Sequence, residues 1–137
     1  MRPIIRPIAA IIALFAMITP ALAVTWTDYS QTAFEQAQAD GRVILVDVYA
    51  DWCPTCKVQK PLLDDIARDA ALEDALLVRV DFDTEKDFLT THRVPRQSTI
   101  LVFVGAEEVS RSIAETNPER LRTAIVGELP TPSSSVE

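Results

Sequence analysis

The feature that most constrains this chain is an apolar run that leads into a cysteine pair. Residues 43–49, VILVDVY, are β-branched and apolar except for Asp47, the composition of a strand buried on both faces of a sheet. Ala50-Asp51-Trp52 follows, and then Cys53-Pro54-Thr55-Cys56. Beyond the second cysteine, Leu62, Leu63, Ile66 and Ala70 recur at helical spacing. Residues 54–68 therefore read as one helix, kinked at Pro61, whose ring removes an N–H donor. A central strand running into a helix directs the chain toward α/β architectures.

The remaining pattern completes that architecture. Residues 31–39 read as a helix capped by Ser30 or Asp28 and closed by Gly41, with Phe34 and Ala37 facing inward. Residues 76–82 and 99–104 read as further strands, with a short helix over 84–91 between them. Residues 107–113 form a fourth strand, joined to the third by a turn at Gly105-Ala106. Pro118 after Asn117 starts a last helix that reaches about Gly127. Residues 129–137, LPTPSSSVE, read as a disordered tail. There is no internal repeat. Strand–helix–strand crossovers followed by a hairpin predict a three-layer sandwich, a mixed sheet with helices on both faces.

The first residues are of another kind. Arg2 and Arg6 precede an apolar run over 8–18, followed by Pro20 and Ala21-Leu22-Ala23. This is the tripartite pattern of a secretory signal peptide cut after Ala23; an uncleaved N-terminal anchor is the alternative, and Pro7 and Pro20 oppose it. The expected location is the bacterial periplasm, where thiols tend to oxidise. Composition narrows the partners. With 13 basic and 20 acidic side chains and a net charge of −7, the chain lacks the clustered cationic face that nucleic acid requires. Two cysteines are also too few for the multi-bridge framework of a small secreted scaffold.

A cysteine at the junction of strand and helix has a specific chemistry. Cys53 at the N-cap faces the free amides of the first turn and the positive end of the helix dipole, which favours its thiolate. Pro54 at the first helical position wastes no donor, and Thr55 completes the spacing that lets a disulfide close across one turn. A structural disulfide or half of a metal site remain alternatives for an isolated C-x-x-C. Asp47 is an acid inside an apolar strand, so its pKa should rise.

Residues 43–57, VILVDVYADWCPTCK, resemble the active-site region of the thioredoxin-like superfamily. The phrase YADWC-x-x-CK is similar to the C-terminal periplasmic domain of the membrane thiol reductase DsbD. Asp47 matches the family's buried acid, Trp52 its pre-cysteine tryptophan, Lys57 the lysine after the second cysteine and Pro61 the kink proline. Val80-Asp81-Phe82-Asp83 matches the strand that ends in an aspartate. The resemblance covers a thioredoxin-like domain over 24–128, between the expected signal peptide over 1–23 and the expected tail over 129–137. It further implies a thiol–disulfide oxidoreductase in which Cys53 attacks a substrate disulfide, Cys56 resolves the mixed disulfide, and Asp47 stands behind Cys56 as its acid/base. Trp52, Pro54, Thr55, Lys57, Gln97 and Ser98 would support the site, Lys57 by pairing with Asp47 or as a solvated residue. No cofactor or metal is implied beyond the Cys53–Cys56 disulfide. The expected partners are disulfide-bearing proteins and a membrane thiol-reductase donor, with the protein itself a monomer.

One position breaks the pattern. The family places a cis-proline directly before its Thr-hydrophobic-hydrophobic strand, and here Ser98 stands there. A cis bond before a non-proline residue costs about 2.5–4 kcal/mol, so the Gln97–Ser98 bond is expected to be trans. One reading is a family variant with an adjusted loop and ordinary redox chemistry; the other is that losing the ring uncovers the sulfurs to metal ions. This raises a copper metallochaperone using Cys53, Cys56 and the single histidine, His92, as an alternative function. A thioredoxin-fold binding module without turnover is the other.

Overall fold

Strand β2, Val43–Tyr49, is the axis of the molecule, described here from a computed structural model over residues 24–130. The expected signal segment and residues 131–137 of the expected tail lie outside the described residues. β2 pairs in parallel with β3, Leu76–Asp81, and antiparallel with β4, Thr99–Val104. β4 turns at Gly105 into β5, Glu107–Ile113. Gly105 has φ +59 there, a left-handed conformation that glycine adopts without a Cβ penalty. A two-residue strand β1, Thr27–Asp28, adds in parallel to β3. The order is β1-β3-β2-β4-β5, so β2 is covered on both edges and its apolar run is buried, as its composition predicts.

The helices divide between the two faces. Helix α1, Gln31–Ala39, starts at Ser30, whose Oγ accepts the Ala33 N–H. Its Phe34 and Ala37, with Phe88 and Leu89 of α3, Lys86–Thr91, pack on Ile44, Val46 and Val48. On the other face, α2, Pro54–Ile66, and α4, Pro118–Val126, bring Leu63, Ile66, Leu121 and Ile125 against Leu45, Ile100 and Val102. The period of two along β2 thus sends its even residues to one layer and Leu45 and Asp47 to the other. The sandwich read from the sequence is the fold.

The differences are local. α2 stops at Ile66 rather than Arg68, and Ala70 leaves the inward stripe for a 3-10 turn over Ala70–Leu72, capped by Asp69. Pro61 lies inside α2 and leaves the Lys57 carbonyl without its helical donor. β1 is too short to carry a periodicity and was not legible.

Candidate functional site

The site forms where β2 hands the chain to α2. Cys53 is the N-cap of α2 with extended backbone, and Pro54 fills the first helical position. The Cys56 N–H donates to Cys53 Sγ at 3.1 Å, so the sulfur takes the place that a serine or aspartate oxygen occupies in most caps. Both thiols are free and pack with Ala50 against Tyr49 and Phe82. Cys53 is only 1 % exposed and Cys56 8 %. Cys53 is therefore the more enclosed of the two.

What separates the two thiols is hydrogen bonding. Burial pushes Cys53 up. Bonds from the Cys56 thiol, the Ser98 hydroxyl, the Cys56 N–H and Gln97 outweigh it, and the thiol lies below the ordinary cysteine value. Burial raises Cys56, and the hydrogen bond it gives to Cys53 raises it further, while Ser98 and the Ala50 backbone only partly offset this. Hydrogen bonding thus makes Cys53 the more acidic thiol of the pair and leaves Cys56 the less acidic.

Ser98 sits directly on the sulfurs. Its Oγ is 3.0 Å from Cys53 Sγ and 3.2 Å from Cys56 Sγ, and the residue is fully buried. The described residues contain no cis peptide bond, so the Gln97–Ser98 bond is trans as expected. The backbone instead turns at Ser98 with φ +62, a region uncommon for residues with a Cβ. Its N–H donates to the Val48 carbonyl at 2.8 Å, and its carbonyl accepts from the Ala114 N–H at 2.9 Å.

Asp47 behaves as its strand position requires, but its partner is a different residue. It is 5 % exposed. Burial drives its pKa from the usual 3.8 to about 6, against the lowering effects of Arg79 and then Lys60. Arg79 stands opposite Asp47 in the β2–β3 register, and its Nε lies 3.5 Å from Asp47 Oδ2. The same guanidinium stacks 3.6 Å from the Tyr49 ring centre. Lys57 is exposed and makes no ion pair with Asp47, which settles its two readings in favour of the solvated one. Nor does Asp47 hydrogen-bond Cys56. The neighbouring strand's arginine captures the carboxylate, in a cleft of about 210 Å³ lined by Trp26, Asp28, Lys60, Leu63, Asp64 and Arg79. Asp47 Oδ1 and Trp26 Nε1 are both buried without a partner.

The other expected residues fall into place around this centre. Trp52 is an exposed neighbour of Cys53, and its Nε1 donates to Asp83 Oδ2 at 2.8 Å. Thr55 is half-buried and Pro54 exposed. His92 is not brought to the cysteines. It packs among Phe34, Phe88 and Phe103 on the α1/α3 face, and no cluster of three metal-ligating side chains occurs among the described residues. The Cys-Cys-His set proposed from the sequence is therefore not assembled. Arg79 and Gln59 were missed. Gln59 had a signal, since it shares the inward stripe of α2 with Cys56, Leu63 and Ile66.

The thioredoxin family model matches residues 24–126. Thioredoxin-2 of Saccharomyces cerevisiae is 29% identical over 97 residues, 70% of this chain and 90% of its own length. The thiol:disulfide interchange protein DsbD of a Pseudomonas species is 34% identical over 86 residues, 59% of this chain but 15% of that much longer protein. Among solved structures, Trxlp from Edwardsiella tarda is 46% identical with a TM-score of 0.68, covering 72% of this chain and 95% of that one. With the fold, the paired cysteines at the helix N-cap and a match across most of its length, the chain belongs to the thioredoxin family of thiol–disulfide oxidoreductases.

Proposed function

We propose that the protein is an exported dithiol reductase that takes electrons from a membrane thiol carrier and passes them to disulfide-bearing proteins. The observation that carries the reading is the division between the thiols, Cys53 held below and Cys56 above the ordinary value by one set of hydrogen bonds. The Cys53 thiolate attacks one sulfur of a substrate disulfide. That S–S bond breaks, a mixed disulfide forms, and the other substrate sulfur leaves as thiolate. Cys56 gives up its proton and attacks Cys53 Sγ, releasing the second substrate thiol and leaving Cys53–Cys56 oxidised. Asp47, half-ionised near pH 6, serves as acceptor for the Cys56 proton. Two electrons and two protons from the donor restore the dithiol.

Export is supported by the signal pattern over 1–23, and the membrane donor by the resemblance to the DsbD domain. The acids Asp47 and Asp51 beside the pair favour a reductant, with a midpoint nearer about −270 mV than about −120 mV. The test is trapping. Cys56→Ser should accumulate mixed disulfides with exported proteins and with a membrane thiol protein, identified by mass spectrometry, while the parent reduces insulin disulfides. Absence of turnover in the folded parent, or a midpoint at the oxidising end, overturns the reading.

A further inference from the structure

Ser98 is not needed for two cysteines to exchange a disulfide, yet its hydroxyl lies within hydrogen-bond distance of both sulfurs. We propose that the Ser98 hydroxyl is a third catalytic group, a hydrogen-bond donor to the Cys53 thiolate that sets the acidity of Cys53 and the redox poise of the pair, and that Gln59 is the positioning residue that holds it there. The proposal rests on the dithiol reading above and specifies what tunes it.

The direction of the bonds follows from valence. A Cys53 thiolate can only accept, so Ser98 Oγ–H must donate to it across 3.0 Å. The oxygen's lone pairs then face Cys56, whose S–H can donate to Cys53 or, across 3.2 Å, to Ser98. Once the disulfide forms, both sulfurs are neutral and accept weakly. The hydroxyl therefore favours the dithiol state, and it does so only when that state carries a charge.

The placement is enforced by several elements at once. A serine at φ +62 persists only where its surroundings determine it. β2 takes its N–H at Val48 O, and the segment after β5 supplies the Ala114 N–H to its carbonyl. The third support comes from the cysteine helix itself. Gln59 Nε2 donates to Ser98 O at 3.4 Å and to Glu115 O at 2.9 Å. Gln59 is fully buried and its Oε1 has no partner, a cost that an aliphatic residue in the stripe would avoid. What the amide gains there is a tie between α2 and the Ser98 turn, one helical turn beyond Cys56.

The experiment compares full-length parent, Ser98→Ala and Ser98→Gly. Thiolate absorbance is followed against pH, and the equilibrium with glutathione is measured from pH 5 to 9. Alanine keeps the Cβ and glycine relieves the backbone, but both delete the hydroxyl. In both, Cys53 should become roughly tenfold less acidic, the scale of one hydrogen bond to a charged group. The glutathione equilibrium should move about tenfold toward the protein disulfide, about 30 mV more reducing, above the Cys53 pKa and converge with the parent in acid. Gln59→Met should shift both readouts the same way by less, and should add nothing in the Ser98→Gly background. Unchanged titration and equilibrium in both Ser98 variants of a protein whose parent reduces insulin overturn the hydroxyl's role. Divergence of alanine from glycine assigns the effect to the backbone and overturns it too. A Gln59 effect that survives in Ser98→Gly overturns the positioning role. A parent with no two-electron couple overturns the dithiol reading itself, and the proposal with it.

Discussion

Asp47 is held in its strand at a measurable cost to stability. Its pKa rises from the usual 3.8 to about 6 because burial penalises the carboxylate more than Arg79 and Lys60 relieve it. About two units at about 1.4 kcal/mol each comes to about 3 kcal/mol. Well below 3.8 the carboxyl is protonated in both folded and unfolded chains, and the cost is absent. Between pH 4 and 6 the unfolded chain ionises first, so stability falls as pH rises, and above 6 the full cost applies. Asp47→Asn keeps the shape and removes the charge. It also unpairs Arg79, but that side chain is 29 % exposed and remains stacked on Tyr49, so this loss stays below about 1 kcal/mol. The variant should therefore be about 2 kcal/mol more stable than the parent at pH 8 and no more stable at pH 3.5. Urea unfolding of the reduced proteins across that range measures it. A difference that does not change with pH, or a variant less stable at pH 8, would refute the reasoning. The same substitution should slow release of the second substrate thiol, if Asp47 accepts the Cys56 proton as proposed above.

Three further outcomes follow from particular contacts. Iodoacetamide should label Cys53 at least several-fold faster than Cys56 at pH 7, because thiolate rather than exposure controls the reaction; the opposite order would show that the 8 % exposure of Cys56 against 1 % for Cys53 decides it. Ser98→Pro should lose at least about 2 kcal/mol, since proline cannot adopt φ +62 and removes the N–H that Val48 O accepts, read as a lower urea midpoint. Asn117→Ala should cost about 1 kcal/mol through loss of the cap whose Oδ1 accepts the Arg120 N–H at 2.9 Å, with the thiol titrations unchanged.

The sequence made the architecture legible because its signals are local and agree with one another. An apolar run specifies β2, Asn117-Pro118 marks the start of α4, and Gly105 marks the hairpin. The N-cap role of Cys53 was legible for the same reason, since it depends only on strand, proline and helix in succession. Side-chain partners were not, because they depend on register between distant strands. Lys57 is ten residues from Asp47 in sequence, but Arg79 is its neighbour across the sheet. His92 follows α3 and so belongs to the layer opposite the cysteine helix, a consequence of crossover handedness that no local pattern near the histidine expresses.

The same parity argument ties the chemistry to the fold. Along β2 the side chain of Asp47 must face α2, because Val46 and Val48 face α1 and α3. The backbone of Val48 then offers its carbonyl at the strand's end to the Ser98 N–H, so one strand both buries Asp47 and anchors the residue that touches the sulfurs. Ser98 Oγ lies within hydrogen-bond distance of both sulfurs, whereas Asp47 lies in the cleft with Lys60 and Leu63 and touches neither. A one-residue slip of β2 would exchange its two faces, sending the carboxylate to the aromatic layer. The register that buries the apolar run is therefore the register that assembles the site.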